Sequence, residues 1–424
     1  MRIFPPFLAW FVLFCCIATA ARGEEGARVK TGEKVKSLIG IDEAVDRFMD
    51  QWDLPGGAVA ITKDGRLVYA RGFGWADVAK QEPVEPDDLF RIASISKPIT
   101  SAMILKLAEQ GKLRLDDPVL SHLGDLKPLP EDAPIDPRFK QVTIRHCLMH
   151  TGGFDRGVSF DPMFMPKPMM ELTASPVDTT TIIRFMLGRP LDFTPGEKHA
   201  YSNFGYCMLG RIIERITGKT YEEAVREVVL KPLGAERTKM GKTQLAGRAD
   251  DEVCYYAPEG TKTCKSIFPD VAEEVTRPYG GFYIEAMDAH GGWISSTTDL
   301  LRLVTSLEGT REPRILSEDS VRRMIQDSIF RDSKSYSHYG LGWSVGLTDG
   351  HGPHWKESNW SHNGSLDGTA TMVVRSHRGI AWAVLFNRRP NGGEFYGAMD
   401  RAFWDAVDAV QEWPEHNLFD ETRE

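Results

Sequence analysis

Strand-forming runs lie near the two ends of this 424-residue chain, and helical patterns fill the middle. Near the start, Ala58-Val-Ala-Ile-Thr62 and Leu67-Val-Tyr-Ala70 flank Lys63-Asp64-Gly65. An Asp-Gly pair between two β-rich runs is a strong hairpin signal. Near the end, Ala370-Thr-Met-Val-Val-Arg375 and Ile380-Ala-Trp-Ala-Val-Leu-Phe386 flank a Ser-His-Arg-Gly379 turn. Helices bracket these runs. Ile41, Val45, Phe48 and Trp52 recur at helical spacing before Pro55-Gly56-Gly57, and Met399, Phe403, Val407 and Val410 recur at the other end. The economical fold is α+β: an antiparallel sheet built from both chain ends, flanked by the terminal helices, with a mainly helical lobe inserted at about 115–285.

Within that middle, a short helix is expected from Val142 to Thr151, closed by Gly152-Gly153, and another around Thr179–Leu187. Tyr201 to Thr217 reads as a helix with Gly218 as its stop, followed by Tyr221 to Val229, Leu300 to Leu307 and Ser317 to Ile325. Residues 235–285 carry no clear periodicity.

Residues 1–20 differ from the rest. Arg2, an apolar run and the small residues Ala18-Thr-Ala20 form the pattern of a secretory signal peptide, with retention as an uncleaved anchor as the alternative. An exported protein, periplasmic or secreted, is expected. Residues 21–38 read as a flexible polar lead-in, 39–413 as one catalytic-size domain, and 414–424 as a tail. Export permits disulfides, and Cys254 and Cys264 bracket a short loop suited to a local staple, whether bonded or not. Cys147 and Cys207 sit in apolar runs and read as small core residues. A formal net charge of −9 argues against nucleic acid as a partner.

The stretch Phe90 to Gly111 is a mostly apolar helix ended by glycine, with Pro98 confining its start to the vicinity of Ser94. Ser94 and Lys97 are three apart and share a face. A buried lysine that has lost its proton can take the proton of a serine hydroxyl. Alone, S-x-x-K is expected about once by chance in a chain this long. Two further motifs follow in order: Tyr201-Ser-Asn203, about 105 residues on, and His362-Asn363-Gly364, about 160 beyond that.

With these three the chain resembles the serine β-lactamase and penicillin-binding protein superfamily, whose motifs include S-x-x-K and K-T-G. It is most similar to the branch shared by class C β-lactamases, DD-peptidases, D-aminopeptidases and related esterases. The similarity runs over roughly residues 40–412 and includes Pro55-Gly-Gly-Ala-Val, Leu115-Asp-Asp-Pro-Val, Thr143-Ile-Arg-His, His150-Thr-Gly-Gly and Gly291-Gly-Trp-Ile-Ser-Ser.

The resemblance implies roles. Ser94 attacks a carbonyl and forms an acyl-enzyme; Lys97 holds or accepts the proton. Tyr201 is the expected general base, which needs its phenol pKa pulled down from about 10 by a neighbouring cation. Asn203 would hydrogen-bond Lys97 and a substrate amide. Gly364 would leave room for substrate backbone. The N–H groups of Ser94 and Ser365 would form an oxyanion hole, each donor worth about 3–4 kcal/mol in the transition state. His362 stands where a lactamase has lysine, and with Asn363 it completes the expected substrate-binding set. Neutral at pH 7 unless a neighbour raises its pKa, it weakens recognition of a penicillin carboxylate.

No cofactor is expected. His146 and His150 are four apart like a metal pair but lack a third ligand nearby. His351 and His354 read as solvated loop residues. The cluster Met163, Met165, Met169 and Met170 reads as loose packing or as the lining of a hydrophobic substrate mouth. The expected activity is hydrolysis of an ester or of an amide or peptide bond in a small-molecule or peptide substrate, with no obligatory protein partner. A β-lactamase or penicillin-binding DD-carboxypeptidase is one alternative, and a catalytically silent penicillin- or peptide-binding protein is another.

Overall fold

The computed structural model describes residues 27–164, 167–173, 176–258, 260–261, 263–271, 274–327, 337–346 and 355–421. The expected signal peptide, the first part of the lead-in, Met165, His351 and His354 lie outside the described residues.

A nine-stranded sheet organises the chain. Its strands are β1 (Lys30–Thr31), β2 (Gly56–Lys63), β3 (Arg66–Asp77), β4 (Glu82–Pro83), β5 (Ser337–Tyr339), β6 (Ser344–Gly346), β7 (Asn359–Leu366), β8 (Thr369–Ser376) and β9 (Ile380–Phe386). They run in the order β1-β3-β2-β9-β8-β7-β6-β5, with β4 added to β3. The hairpin turn between β2 and β3 has Asp64 and Gly65 at φ of 51° and 80°, the left-handed pair that an Asp-Gly hairpin needs. The seam between the chain ends is β2 against β9, antiparallel, with Val59 opposite Val384 and Ala60 opposite Ala383. The sheet is therefore built from both ends, as expected.

The principal helices are α1 (Ile39–Gln51), α2 (Ser96–Glu109), α3 (Ile144–Leu148), α4 (Asn203–Thr217), α5 (Thr297–Glu308) and α6 (Phe395–Asp408). Side chains alternate across a strand, and here the two faces divide by size. Val59, Ile61, Trp382, Val384 and Phe386 face α1 and α6, packing on Phe48, Phe395, Met399 and Phe403. Ala58, Ala60, Ala381 and Ala383 face the other way, into the larger core that holds α2, α4 and α5. Their small side chains let that helical layer lie close to the sheet.

Several boundaries differ from expectation. Residues 30–38 are no loose lead-in: β1 pairs with Phe73 and Gly72 of β3, and Leu38 is fully buried. The segment after 413 is likewise packed. Phe419 is fully buried, and Asn417 Oδ1 accepts the Leu67 N–H at 3.0 Å. Residues 221–230 form an α-turn continued by a π-turn rather than one regular helix.

Cys254 and Cys264 are free thiols. Their backbones are committed elsewhere: the Cys254 N–H donates to Ala76 O at 2.8 Å, while Cys264 belongs to a separate short hairpin opposite Val275.

Residues 235–285 lack periodicity, and one buried side chain ties several of them together. Arg91 donates to Pro278 O (2.6 Å), Lys242 O (2.7 Å) and Thr243 O (3.1 Å), and its guanidinium lies 4.3 Å from the Tyr255 ring centre. This arginine precedes Ser94 by three residues. The irregular half of the lobe is thus fastened directly to the segment that carries the candidate nucleophile.

Candidate active site

Ser94 sits in a 3-10 turn, Ala93–Ile95, immediately before α2, rather than in the α-helix itself. Ala93 has φ of 48°, a left-handed conformation unusual for a residue with a Cβ. The turn is held from two sides. The Ile92 N–H donates to Trp293 O at 3.0 Å, and Ile92 O accepts from the Thr371 hydroxyl of β8 at 3.1 Å. Strain of this kind persists only where surrounding contacts over-determine it.

Lys97 is fully buried. Its Nζ lies 3.2 Å from Ser94 Oγ, 2.9 Å from Asn203 Oδ1 and 3.1 Å from His290 O. Burial drives its pKa well below the ordinary lysine value; Asp161 pulls it back up and Arg156 lowers it further. A neutral amine has two N–H groups and one lone pair. The amide oxygen of Asn203 and the carbonyl of His290 can only accept, so they take both hydrogens. The lone pair is left facing Ser94.

Asn203 opens α4, whose N-cap is Ser202. Its Nδ2 donates to Asp161 Oδ2 at 2.7 Å. Both ends of this amide are thus engaged by the protein, which leaves the second Nδ2 hydrogen and the second lone pair of Oδ1 for substrate.

Tyr201 is gripped by His150. The Ala200 N–H donates to His150 O at 2.8 Å, the Ser202 N–H donates to His150 Nδ1 at 3.1 Å, and the two rings lie 4.2 Å apart. His150 has φ of 58°, and burial holds its imidazole neutral. Contrary to expectation, the Tyr201 phenol is not acidified. Burial raises its pKa, outweighing the Ser94 hydroxyl and Arg156, which lower it. Lys97 is not among the groups that lower it. Tyr201 is a proton donor at rest.

His150→Phe is expected to strand the Ser202 amide and cost about 1–3 kcal/mol in denaturant unfolding. His150→Asn, which tolerates the left-handed backbone and offers an acceptor near Nδ1, should recover most of it.

The third motif lies on β7. Its residues alternate: Asn363 and Ser365 line a cleft of about 710 Å³ shared with Ser94, Tyr201 and Asn203, while His362 and Gly364 are buried. His362 therefore does not face substrate as expected. Its Nδ1–H donates to Asn363 O at 2.7 Å, and its Nε2 accepts from the Tyr339 hydroxyl at 3.0 Å. Burial pushes its pKa down to about 3, so it supplies no cation.

Gly364 is also required by packing. A Cβ there would lie 2.1 Å from Ile92 O and 2.2 Å from Thr371 Oγ1. The glycine lets β7 pack on the nucleophile turn. Pairing with β6 stops at Ser361, so the outer edge of residues 362–366 has no strand neighbour among the described residues.

The cations of the cleft come instead from its rim. Arg389 Nη1 is 3.2 Å from Ser365 Oγ, and Arg389 and Arg277 share the carboxylate of Asp367. Arg156 sits over the Tyr201 ring at 5.2 Å. None of these arginines, nor Asp161 or His290, stands out in the sequence, and His150 does so only within His150-Thr-Gly-Gly and as half of a possible metal pair, not as the partner of Tyr201. His290 contributes only a carbonyl, which no side-chain pattern reveals. Asp161 lies in an aperiodic stretch whose one signal is an acid flanked by Phe160 and Pro162. Met163 and Met169 are packed in the core rather than at a substrate mouth, while Phe164 and Met287 line the cleft. His146 closes a capping box with Thr143 at the start of α3.

Penicillin-binding protein 4* of Bacillus subtilis is 26% identical over 326 residues, which is 75% of this chain and 65% of that protein. The chain thus spans just under two thirds of this relative. An Escherichia coli protein named "Putative D-alanyl-D-alanine carboxypeptidase" is 26% identical over 417 residues, 91% of this chain and 90% of that one. The octameric penicillin-binding protein homologue from Pyrococcus abyssi superposes with a TM-score of 0.61 at 26% identity, covering 86% of this chain and 76% of that one. The family described as Beta-lactamase matches residues 41–403, a span that takes in the serine turn, the gripped tyrosine and the glycine strand alike. By that match, and with the architecture it presupposes in place, this chain belongs to the beta-lactamase family.

Proposed function

We propose that the protein is a serine hydrolase that forms an acyl-enzyme at Ser94. The observation that carries this reading is the buried Lys97, whose Nζ lies 3.2 Å from Ser94 Oγ and donates to Asn203 Oδ1 and His290 O, where burial drives its pKa well below the ordinary lysine value. Lys97 is the general base and takes the hydroxyl proton as Oγ attacks the carbonyl. The N–H groups of Ser94 and Ser365 receive the developing oxyanion. Tyr201, protonated at rest, donates to the leaving group. Lys97, then an ammonium, returns the proton it took, which closes the proton balance of the step. Water then repeats the sequence against the acyl-enzyme, with the proton again passing to Lys97.

The substrate is a small molecule or peptide with an ester or D-amino-acid amide bond. A penicillin-binding carboxypeptidase reading is favoured by one further feature: a terminal carboxylate beside Ser365 would meet Arg389 rather than His362. The names of the B. subtilis and E. coli relatives point the same way. Residues 1–20 are proposed to direct export, and intact mass of exported protein beginning at Ala21 is the expected result.

The test is intact mass after incubation with a fluorophosphonate and, separately, with a penicillin, alongside Ser94→Ala. A fluorophosphonate adduct absent from the variant is expected. A stable penicilloyl adduct selects the carboxypeptidase reading. Labelling without it, and without lactam hydrolysis, selects an ester or amide substrate. No adduct with either reagent overturns the proposal and leaves a binding protein.

A further inference from the structure

We infer that Asp161 is a positioning residue for the chemistry at Ser94: by accepting from Asn203 Nδ2 it obliges Asn203 to present Oδ1 to Lys97, and so keeps the amine's lone pair on the serine. The inference rests on the acyl-transfer reading proposed above.

A side-chain amide has one end that donates and one that accepts, and nothing in its shape chooses between them. At Asn203 the choice is forced. A carboxylate only accepts, so the group 2.7 Å from Asp161 Oδ2 must be the amide nitrogen. The carboxylate is itself fixed, because its other oxygen accepts the Met163 N–H at 3.1 Å. Asn203 Oδ1 then falls 2.9 Å from Lys97 Nζ. With the amide turned over, its nitrogen would claim the lysine lone pair, and an amine N–H would point at Ser94. The base would become a donor, with hardly an atom displaced.

An ion-pair role for Asp161 is the competing account. Arg156 Nη1 stands 4.0 Å from Asp161 Oδ2 on a guanidinium side chain that is 54% exposed, against 12% for the aspartate. Such a contact is weak beside two short hydrogen bonds.

The pH dependence of the site supplies the readout. Asp161 and Arg156 are the charged neighbours that act on Lys97. The imidazoles of His150, His290 and His362 around it are all held neutral by burial, and the phenols of Tyr201 and Tyr206 face it through their rings. Removing the carboxylate therefore takes away the one group that raises the lysine's pKa.

The experiment follows the rate of fluorophosphonate labelling of the full chain against pH by intact mass, which separates the maximal rate from reagent binding. For Asp161→Ala the maximal rate should fall about 10- to 100-fold, with reagent binding within about twofold, and the midpoint of the pH profile should move to lower pH. Asp161→Asn, isosteric but without a fixed hydrogen-bond direction, should also be slow. Adding Asn203→Asp to it restores an obligate acceptor at Lys97. That double variant should regain at least about tenfold at its plateau, with the midpoint moved to higher pH by the adjacent carboxylate.

A wild-type rate and midpoint in Asp161→Ala would overturn the inference. If that variant fails to melt cooperatively, Asp161→Asn decides in its place, and a wild-type rate there is equally fatal. If the wild type takes no label at all, the underlying reading fails, which is a distinct result.

Discussion

The Lys97→Met variant is expected to react with a fluorophosphonate at Ser94 about a thousandfold more slowly than wild type, and to do so with no pH dependence from this site. Methionine keeps the length and apolar volume of the lysine stem but brings no lone pair. Two neighbouring groups among the described residues cannot replace it: Tyr201 keeps its proton because burial raises its pKa, and His362 is turned toward Tyr339 and Asn363. In the wild type the rate should rise as pH passes upward through the depressed pKa of Lys97 and then level off.

The same substitution has a stability signature. Burial lowers the folded-state pKa of Lys97, whereas the unfolded chain keeps the ordinary value of about 10.4. Between those two values the unfolded chain holds a proton that the folded chain lacks, so falling pH favours unfolding. The wild type should therefore lose stability relative to Lys97→Met by about 1.4 kcal/mol per pH unit as pH falls through that window. Below the folded pKa the difference should become constant. Denaturant midpoints of the two proteins across pH measure it. Parallel curves would mean that the wild-type lysine stays charged when buried, and Lys97 could then not act as the base.

The elements legible in the sequence are those with a local signature. The Asp64-Gly65 turn, the alternating runs of β2 and β9, and the stop at Gly218, whose φ is 69°, each declare themselves within a few residues. The three spaced motifs also converge on one cleft, through Ser94, Tyr201, Asn203, Asn363 and Ser365. What stayed hidden depends on contacts distant in sequence. Arg91 reaches Lys242 and Pro278, more than a hundred residues away, and so orders a region with no pattern of its own. The fate of His362 was set by the side to which its position on β7 turns it. A one-residue alternation separates a cleft residue from a buried one, and the motif does not encode it. The state of Tyr201 is hidden for a related reason: its acidity depends on how far burial outweighs the neighbouring charges, and burial is not written in the motif.

Gly364→Ala is expected to cost about 3 kcal/mol of stability and to slow reaction at Ser94 by at least about a hundredfold. The new methyl would be placed 2.1 Å from Ile92 O and 2.2 Å from Thr371 Oγ1. Neither atom can yield cheaply. Ile92 O is tied to the Thr371 hydroxyl at 3.1 Å, the Ile92 N–H is tied to Trp293 O at 3.0 Å, and Thr371 is fully buried in β8. Relief therefore requires β7 to draw away from the turn whose next residues are Ala93 and Ser94. Any such shift moves the Ser365 N–H relative to Ser94, and displacement by about 1 Å is enough for a hundredfold loss. Asn363→Ala, one residue earlier and exposed on the cleft, should leave stability within about 0.5 kcal/mol of wild type. Urea midpoints and labelling rates for the two variants separate the possible roles of the glycine. Loss of rate with full stability would return Gly364 to the role of admitting substrate backbone, whereas loss of both assigns it to seating the strand that faces the nucleophile.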